Sequence, residues 1–162
     1  MEIDPKSRTA KLYLIAQKIA ERIPDFFDIK VQGKGNDATN MYMNLVNNTA
    51  QKILGEDLSN KAICDRTDSC FDFYVPEDKT VLEIALSLRN PNTEYEKDIF
   101  KCIIARDAGL PIERLILLSK PGALIKHAEP YRQAVAEVTR LHFGIEVVVL
   151  ELQRAESVGT SE

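Results

Sequence analysis

The spacing of apolar residues changes several times along the chain, and each spacing indicates a helix or a strand. Apolar residues recur every three or four positions in four segments, while alternating or continuous apolar runs mark five others. The predicted helices cover residues 12–23, 37–54, 94–108 and 130–143. The predicted strands cover residues 62–65, 70–75, 80–88, 114–119 and 145–150. The helices end before Pro24, Gly55, Gly109 and Gly144, which are residue types common at helix ends.

Apolar stripes on the second and fourth helices are expected to face the core. The stripe of the second helix, which Asn36 or Asp37 can cap, is Tyr42, Leu45, Val46, Thr49 and Ile53. The stripe of the fourth helix is Tyr131, Ala134, Val135, Val138 and Leu141. The second helix also carries amides that form either a solvated face or a surface for phosphates and base edges: Asn40, Asn44, Asn47, Asn48 and Gln51.

The element order ααβββαβαβ predicts an α/β fold with three layers. Three strands joined by short turns are typical of an antiparallel meander, and the strand–helix–strand units that follow favour parallel pairing. Helices on both faces would enclose this mixed sheet. The wholly apolar segment 114–119 indicates a strand covered on both faces. We predict a single domain over residues 1–153 and a flexible polar tail over residues 154–162.

Composition places the chain among globular proteins. Its 162 residues are 44% apolar and carry a net charge of −4. No apolar run approaches the ~20 residues that a membrane helix needs, so no membrane association is expected. The start of the chain lacks a basic-then-apolar leader, and its three cysteines lack CxxC spacing, which together favour the cytoplasm. The negative charge argues against tight non-specific binding of nucleic acid but allows a local basic cleft.

Two acids interrupt the apolar strands. Asp72 lies within the strand 70–75, and Glu83 lies within the next strand, eleven positions later across the turn 76–79. If the two side chains share a face, their carboxylates meet and repel unless a cation lies between them. Carboxylate oxygens suit Mg²⁺ or Mn²⁺. The alternative is a half-exposed sheet whose outer face carries two acids.

The segment Phe71–Ala85, FDFYVPEDKTVLEIA, resembles the PD-(D/E)XK nuclease superfamily, which has the restriction-endonuclease-like fold. The resemblance covers roughly residues 60–120. It implies a Mg²⁺ or Mn²⁺ ion held by Asp72, Glu83 and the carbonyl of Ile84, and an endonuclease that hydrolyses phosphodiester bonds in DNA. A homodimer is expected as the working unit, because a chain this small has little surface with which to embrace duplex DNA.

The chain departs from the motif at Ala85, where the superfamily has a lysine. The next helix offers Lys97 and Lys101, which are four positions apart and share a helix face. Lys101 is the preferred substitute, because it lies between Phe100 and Cys102 and so closer to the apolar face. The alternative is that both lysines are solvated and pair with acids of their own helix.

Two other functions stay open from the sequence. Without the motif lysine, the chain can be a catalytically inactive nuclease-fold domain that binds nucleic acid or protein. It can also be an unrelated α/β domain that acts on a small molecule near Lys120–His127, because this segment follows a strand end.

Overall fold

The computed structural model describes residues 4–28, 34–86 and 93–154, which form an α/β fold with a five-stranded mixed sheet flanked by helices. The helices are α1 (Arg8–Arg22), α2 (Lys34–Leu54), α3 (Thr93–Asp107), α4 (Ala123–His127) and α5 (Pro130–Phe143). The strands are β1 (Ser59–Ala62), β2 (Cys70–Val75), β3 (Thr80–Ile84), β4 (Arg114–Ser119) and β5 (Glu146–Glu151). The predicted order is confirmed, with the short helix α4 in addition. No helix in these described ranges is long and apolar enough to cross a membrane.

The strands lie in the order β1-β2-β3-β4-β5. The pairs β1–β2 and β2–β3 are antiparallel, whereas β3–β4 and β4–β5 are parallel. The predicted meander followed by two crossovers is therefore confirmed. Residues 115–118 of β4 are fully buried, as expected for a strand covered on both faces.

The core consists of two apolar clusters, one on each face of the sheet. One cluster joins α1 and α2 to the sheet through side chains that include Leu12, Ala16, Tyr42, Val46, Phe73, Leu82 and Ile116. The other joins α3 to the opposite face through side chains that include Tyr95, Ile99, Cys102, Val81, Ala85 and Leu115. The half-buried Val135 and Ala136 of α5 pack against this second cluster. With the sheet between them, the two clusters define three layers. Side chains on one face of the sheet pack against α1 and α2, and those on the other face pack against α3.

Several predicted boundaries differ from the structure. Helix α1 begins at Arg8, four residues before its predicted start, because Ser7 caps it by accepting from the backbone N–H of Ala10. β1 begins and ends three residues earlier than the predicted strand 62–65, because residues 65 and 66 form a turn. The strand β3 ends at Ile84, and the predicted positions 87–88 lie outside the described residues. Helix α2 begins at Lys34, so Asp37 lies in its first turn and does not cap it. An acid in the first turn still offsets the positive end of the helix dipole.

The predicted stripe on α5 is wrong as a core face. Tyr131, Val138 and Leu141 are 54%, 51% and 61% exposed, and the buried residues of this helix are Arg132 and Thr139. The guanidinium of Arg132 lies 5.2 Å from the ring centre of Tyr95. A long arginine stem is buried on the inward side of α5 against this ring of α3, and the apolar stripe therefore lies outward.

The stripe on α2 is only partly buried. Tyr42 and Val46 are buried, whereas Leu45 and Ile53 are 42% and 62% exposed. The hydroxyl of Tyr42 donates to the carbonyl of Ala16 at 3.0 Å, which directs this side of α2 toward α1. The contact with α1 and the sheet is narrower than the apolar stripe, so its flanking residues remain at the surface.

Candidate functional site

Asp72 and Glu83 lie next to each other where the pairing of β2 with β3 ends. Backbone partners run from Val75–Thr80 to Phe73–Leu82, and the two acids occupy the next positions. The carboxylate of Glu83 accepts from the backbone N–H of Asp72 at 3.3 Å, and that of Asp72 accepts from the N–H of Ile84 at 2.8 Å. Each carboxylate thus accepts from the backbone of the neighbouring strand, which brings the two acids together at this end of the hairpin.

Both acids lie on the α3 side of the sheet. Val81 and Ala85, two positions either side of Glu83, belong to the α3 cluster, because side chains two apart on a strand share a face. Phe73 packs on the α1 side, but Phe71 packs on the α3 side. The regular alternation of β2 is therefore broken at Asp72, between these two rings.

Lys101 reaches Glu83 from α3. Its ammonium Nζ lies 2.5 Å from Oε1 of Glu83 and 3.0 Å from Oδ1 of Asp98, and it donates to the carbonyl of Cys70 at 3.2 Å. The Lys101 side chain is 12% exposed, so it is not a solvated surface lysine. Lys97 is exposed. The structure therefore brings Lys101, and not Lys97, into contact with the carboxylate of Glu83.

Burial and charge shift the proton affinities of this cluster. Burial raises the pKa of Glu83 to about 9, and the negative charges of Asp72 and Asp98 act in the same direction against the opposing effect of Lys101. Burial also raises the pKa of Asp98. Burial lowers the pKa of Lys101, but the charges of Glu83 and Asp98 outweigh burial and raise it. Lys101 is therefore a cation at neutral pH, while Glu83 retains a proton unless further positive charge is supplied.

The cluster contains carboxylate oxygens, the type of ligand that a hard divalent cation prefers. Asp72, Glu83 and Asp98 set three carboxylates against the one ammonium of Lys101, which gives a net charge of −2 when all four are ionised. Within residues 4–28, 34–86 and 93–154, no group of three or more His, Cys, Asp or Glu side chains is arranged to hold a metal. An ion here would take two carboxylates together with main-chain oxygen, which is a donor set that suits Mg²⁺ or Mn²⁺ and not a soft metal.

Asp98 is a member of the cluster that sequence reasoning missed. Three positions before Lys101 on α3, it enters the sequence prediction only through the alternative in which solvated lysines pair with acids of their own helix, but its side chain is 13% exposed. Residues three positions apart lie on the same face of a helix. The spacing of Asp98 from Lys101, a lysine between apolar residues, is therefore the signal that could have identified it. The thiol of the neighbouring Cys102 is fully buried, and burial raises its pKa well above the usual value, so it does not act as a nucleophile.

The other predicted positions do not converge on a second site. Lys120 lies 4.7 Å from the ring centre of Phe26 on the α1 side of the sheet. His127 contacts the hydroxyl of Tyr95 at 3.3 Å on the α3 side. The two ends of segment 120–127 therefore face different layers. On α2, the side chains of Asn40, Asn44, Asn48 and Gln51 are exposed, whereas that of Asn47 is half-buried.

Comparison of the chain with protein-family models, with curated proteins and with solved structures finds no match.

Proposed function

We propose that this protein is a metal-dependent endonuclease of the PD-(D/E)XK type with the restriction-endonuclease-like fold, and that it hydrolyses phosphodiester bonds in DNA. The observation that carries the proposal is the contact of the Lys101 ammonium with Glu83, beside Asp72. A helix supplies the cation that the motif lacks at Ala85. Two acids on neighbouring strands and a lysine beside them are the three groups that this chemistry requires.

The ion would be held by the carboxylates of Asp72 and Glu83 and by the carbonyl of Ile84. A bound Mg²⁺ or Mn²⁺ supplies Lewis acidity toward the phosphate and lowers the pKa of a bound water. Asp72 is half-buried and Glu83 is 3% exposed. Asp72 is thus the carboxylate nearer to solvent and to a bound DNA strand, whereas Glu83 lies behind it between the sheet and α3.

Lys101 acts as a fixed positive charge and hydrogen-bond donor. Its raised pKa keeps it protonated, so it does not accept a proton from the attacking water. An ammonium beside the two acids orients that water and stabilises the negative charge that develops on the phosphate. Asp98, at 3.0 Å, holds this ammonium in place from within the same helix.

A cleavage assay on the whole chain tests the proposal. We expect supercoiled plasmid DNA to be nicked or linearised with Mg²⁺ or Mn²⁺ and to stay intact with a chelator. Asp72→Asn, Glu83→Gln and Lys101→Met should each lower the rate by at least about 100-fold. Lys97→Met is the matched control, because Lys97 is an exposed lysine one turn away on the same helix, and it should retain the wild-type rate. Cleavage that persists unchanged in all three site variants would rule out this cluster as the catalytic centre.

A second candidate function is a catalytically inactive nuclease-fold domain that binds nucleic acid or protein. The close contacts of Lys101 with Glu83 and Asp98 favour it, because a lysine that neutralises two buried acids forms a self-contained ion-pair network. Calorimetric titration with Mn²⁺ separates the two functions. Metal uptake that is lost in Asp72→Asn and Glu83→Gln supports the nuclease, whereas a wild-type protein without measurable uptake supports the inactive domain.

A further inference from the structure

The outward surface of α3 and α5 is apolar. A groove of about 410 Å³ runs between the two helices and is lined mainly by apolar side chains, among them Phe100, Ile103 and Val138. Six large apolar residues around it are between 41% and 61% exposed: Phe100, Ile104, Tyr131, Val138, Leu141 and Phe143. We call these six residues the α3/α5 face. An apolar patch of this kind on a water-facing surface is typical of a binding surface.

The apolar residues of α5 have the spacing of a helix-packing seam. Tyr131, Ala134, Val138 and Leu141 recur at alternating intervals of three and four residues, which is the spacing by which one helix packs along another. The sheet does not use this seam, because the buried residues of α5 are Arg132 and Thr139. The seam is therefore available to a helix from outside the chain's own core.

Charges are separated along the length of α3 and α5. Tyr131 of α5 contacts Glu96 of α3 at one end, and Arg106 of α3 donates to the carbonyl of Gly144, just after α5, at the other. The two helices therefore run parallel. Their amino-terminal ends carry three acids and two cations, a net charge of −1, namely Glu94, Glu96, Glu129, Lys97 and Arg132. Their carboxy-terminal ends carry two arginines and one aspartate, a net charge of +1 with His142 neutral, namely Arg106, Arg140 and Asp107.

We propose that the α3/α5 face is the interface of a symmetric homodimer, in which the α3–α5 pair of one copy packs antiparallel to that of the other. A two-fold axis through the groove places the acidic end of each pair opposite the basic end of its partner, and it also opposes the helix dipoles. A parallel arrangement would set like charges against each other. The charge pattern therefore fits a second copy of this chain.

The exposed apolar area is large enough for such a dimer. Taking ~200 Å² for a fully exposed aromatic residue and somewhat less for an aliphatic one, the exposed fractions of the six residues amount to about 550 Å² per copy. If all of this surface were covered, two copies would bury at most about 1,100 Å² from these six residues, before any polar rim is counted. This value reaches the ~1,000 Å² lower limit of specific interfaces.

The proposed interface does not depend on the nuclease proposal. Lys101 and Asp98 extend from the sheet-facing side of α3, whereas Phe100 and Ile104 lie on its outward side. A partner bound to the outward side of α3 would therefore not cover the acidic cluster of either copy. Loss of cleavage and loss of dimerisation can be measured separately.

Sedimentation of the whole chain tests the interface. We expect a mass of twice 18.3 kDa at about 50 μM protein. Phe100→Arg on α3 and Leu141→Arg on α5 each place a charge in the interface and should weaken the dimer at least about 100-fold. Both side chains are 61% exposed, so the folded monomer tolerates either change, which circular dichroism checks. Ile53→Arg on α2 is the matched control, because Ile53 is 62% exposed on the opposite side of the sheet and the variant should remain dimeric.

A charge exchange tests the orientation. Arg140→Glu alone should weaken the dimer about tenfold, because it places an acid opposite the acidic end of the partner. Adding Glu94→Arg should restore much of the affinity. A wild-type protein that is monomeric at this concentration overturns the proposal, as does a dimer that both arginine variants leave intact. A double variant no tighter than Arg140→Glu overturns the antiparallel arrangement.

Discussion

Replacing Glu83 with glutamine should make the metal-free protein more stable, because the buried carboxyl is costly to ionise. Burial raises the pKa of Glu83 to about 9, whereas the same group in an unfolded chain has a pKa near 4.5. Between these two values the folded state binds more protons than the unfolded state. The free energy of unfolding of the wild type therefore falls as pH rises from about 4.5 to about 9. Glutamine resembles the protonated acid and never ionises, so the variant lacks this loss.

The size of the effect follows from the pKa difference. At pH 8 the free energy of unfolding of the wild type is lowered by about 1.4 kcal/mol for each pH unit above the pKa that this carboxyl has in the unfolded chain. The upper limit of this loss is about 5 kcal/mol. The pKa of about 9 already includes the attraction of Lys101, and glutamine cannot replace every hydrogen bond of the carboxyl, so we expect a net gain of about 2 kcal/mol for Glu83→Gln at pH 8. For a chain of this length, that gain corresponds to about 4–8 °C in the melting temperature. At pH 5 the gain should nearly vanish.

Thermal and urea unfolding between pH 5 and pH 9, with a chelator present, measures this gain. Glu113→Gln is the matched control, because Glu113 is an exposed glutamate that pairs with Lys79 at 2.7 Å. The hydrogen bond from Lys79 lowers the pKa of Glu113, so its replacement should have a small effect of opposite sign. If Glu83→Gln is less stable than the wild type by the same amount at every pH, Glu83 is an ionised partner of Lys101, and the reasoning is refuted.

Three further predictions concern stability and are measured by urea unfolding. Lys101→Met should cost about 3 kcal/mol at pH 8, because it leaves the buried acids without their cation, whereas Lys97→Met should change little. Asp78→Ala should cost about 1–2 kcal/mol, because this carboxylate accepts from the backbone N–H and the hydroxyl of Thr9 at the start of α1; an unchanged midpoint would contradict that role. Tyr95→Phe should cost about 1 kcal/mol, because both contacts of its hydroxyl are 3.3 Å long and therefore weak. A loss above about 3 kcal/mol would contradict this prediction.

The sequence predicted the order of helices and strands and the hairpin that carries the acids, because both depend on local patterns. Period-two alternation around Glu83 assigned its face correctly: Leu82 packs on the α1 side, and Val81 and Ala85 pack on the α3 side. The short turn between β2 and β3 then determined the register that places Asp72 next to Glu83. Turn length and alternation are sufficient to pair two neighbouring strands.

The orientation of the helices could not be predicted in the same way. Periodicity identifies an apolar stripe but does not say whether the chain itself covers it. On α5 the stripe with Val138 lies outward because Arg132 is buried in its place, and sequence rules count arginine as a surface residue. The membership of Asp98 was hidden for a related reason, because an acid and a lysine three positions apart usually mark a solvated helix face.

The cation of the cluster lies on helix α3 and not on a strand, so the packing of that helix holds it in place. A lysine at position 85 would be fixed by the same strand as Glu83. Lys101 instead depends on the packing of α3 against the sheet, where its ammonium lies 5.9 Å from the ring centre of Phe71 and within hydrogen-bonding distance of the Cys70 carbonyl. A shift of α3 by one ångström would change the contact of Lys101 with Glu83 without moving either strand.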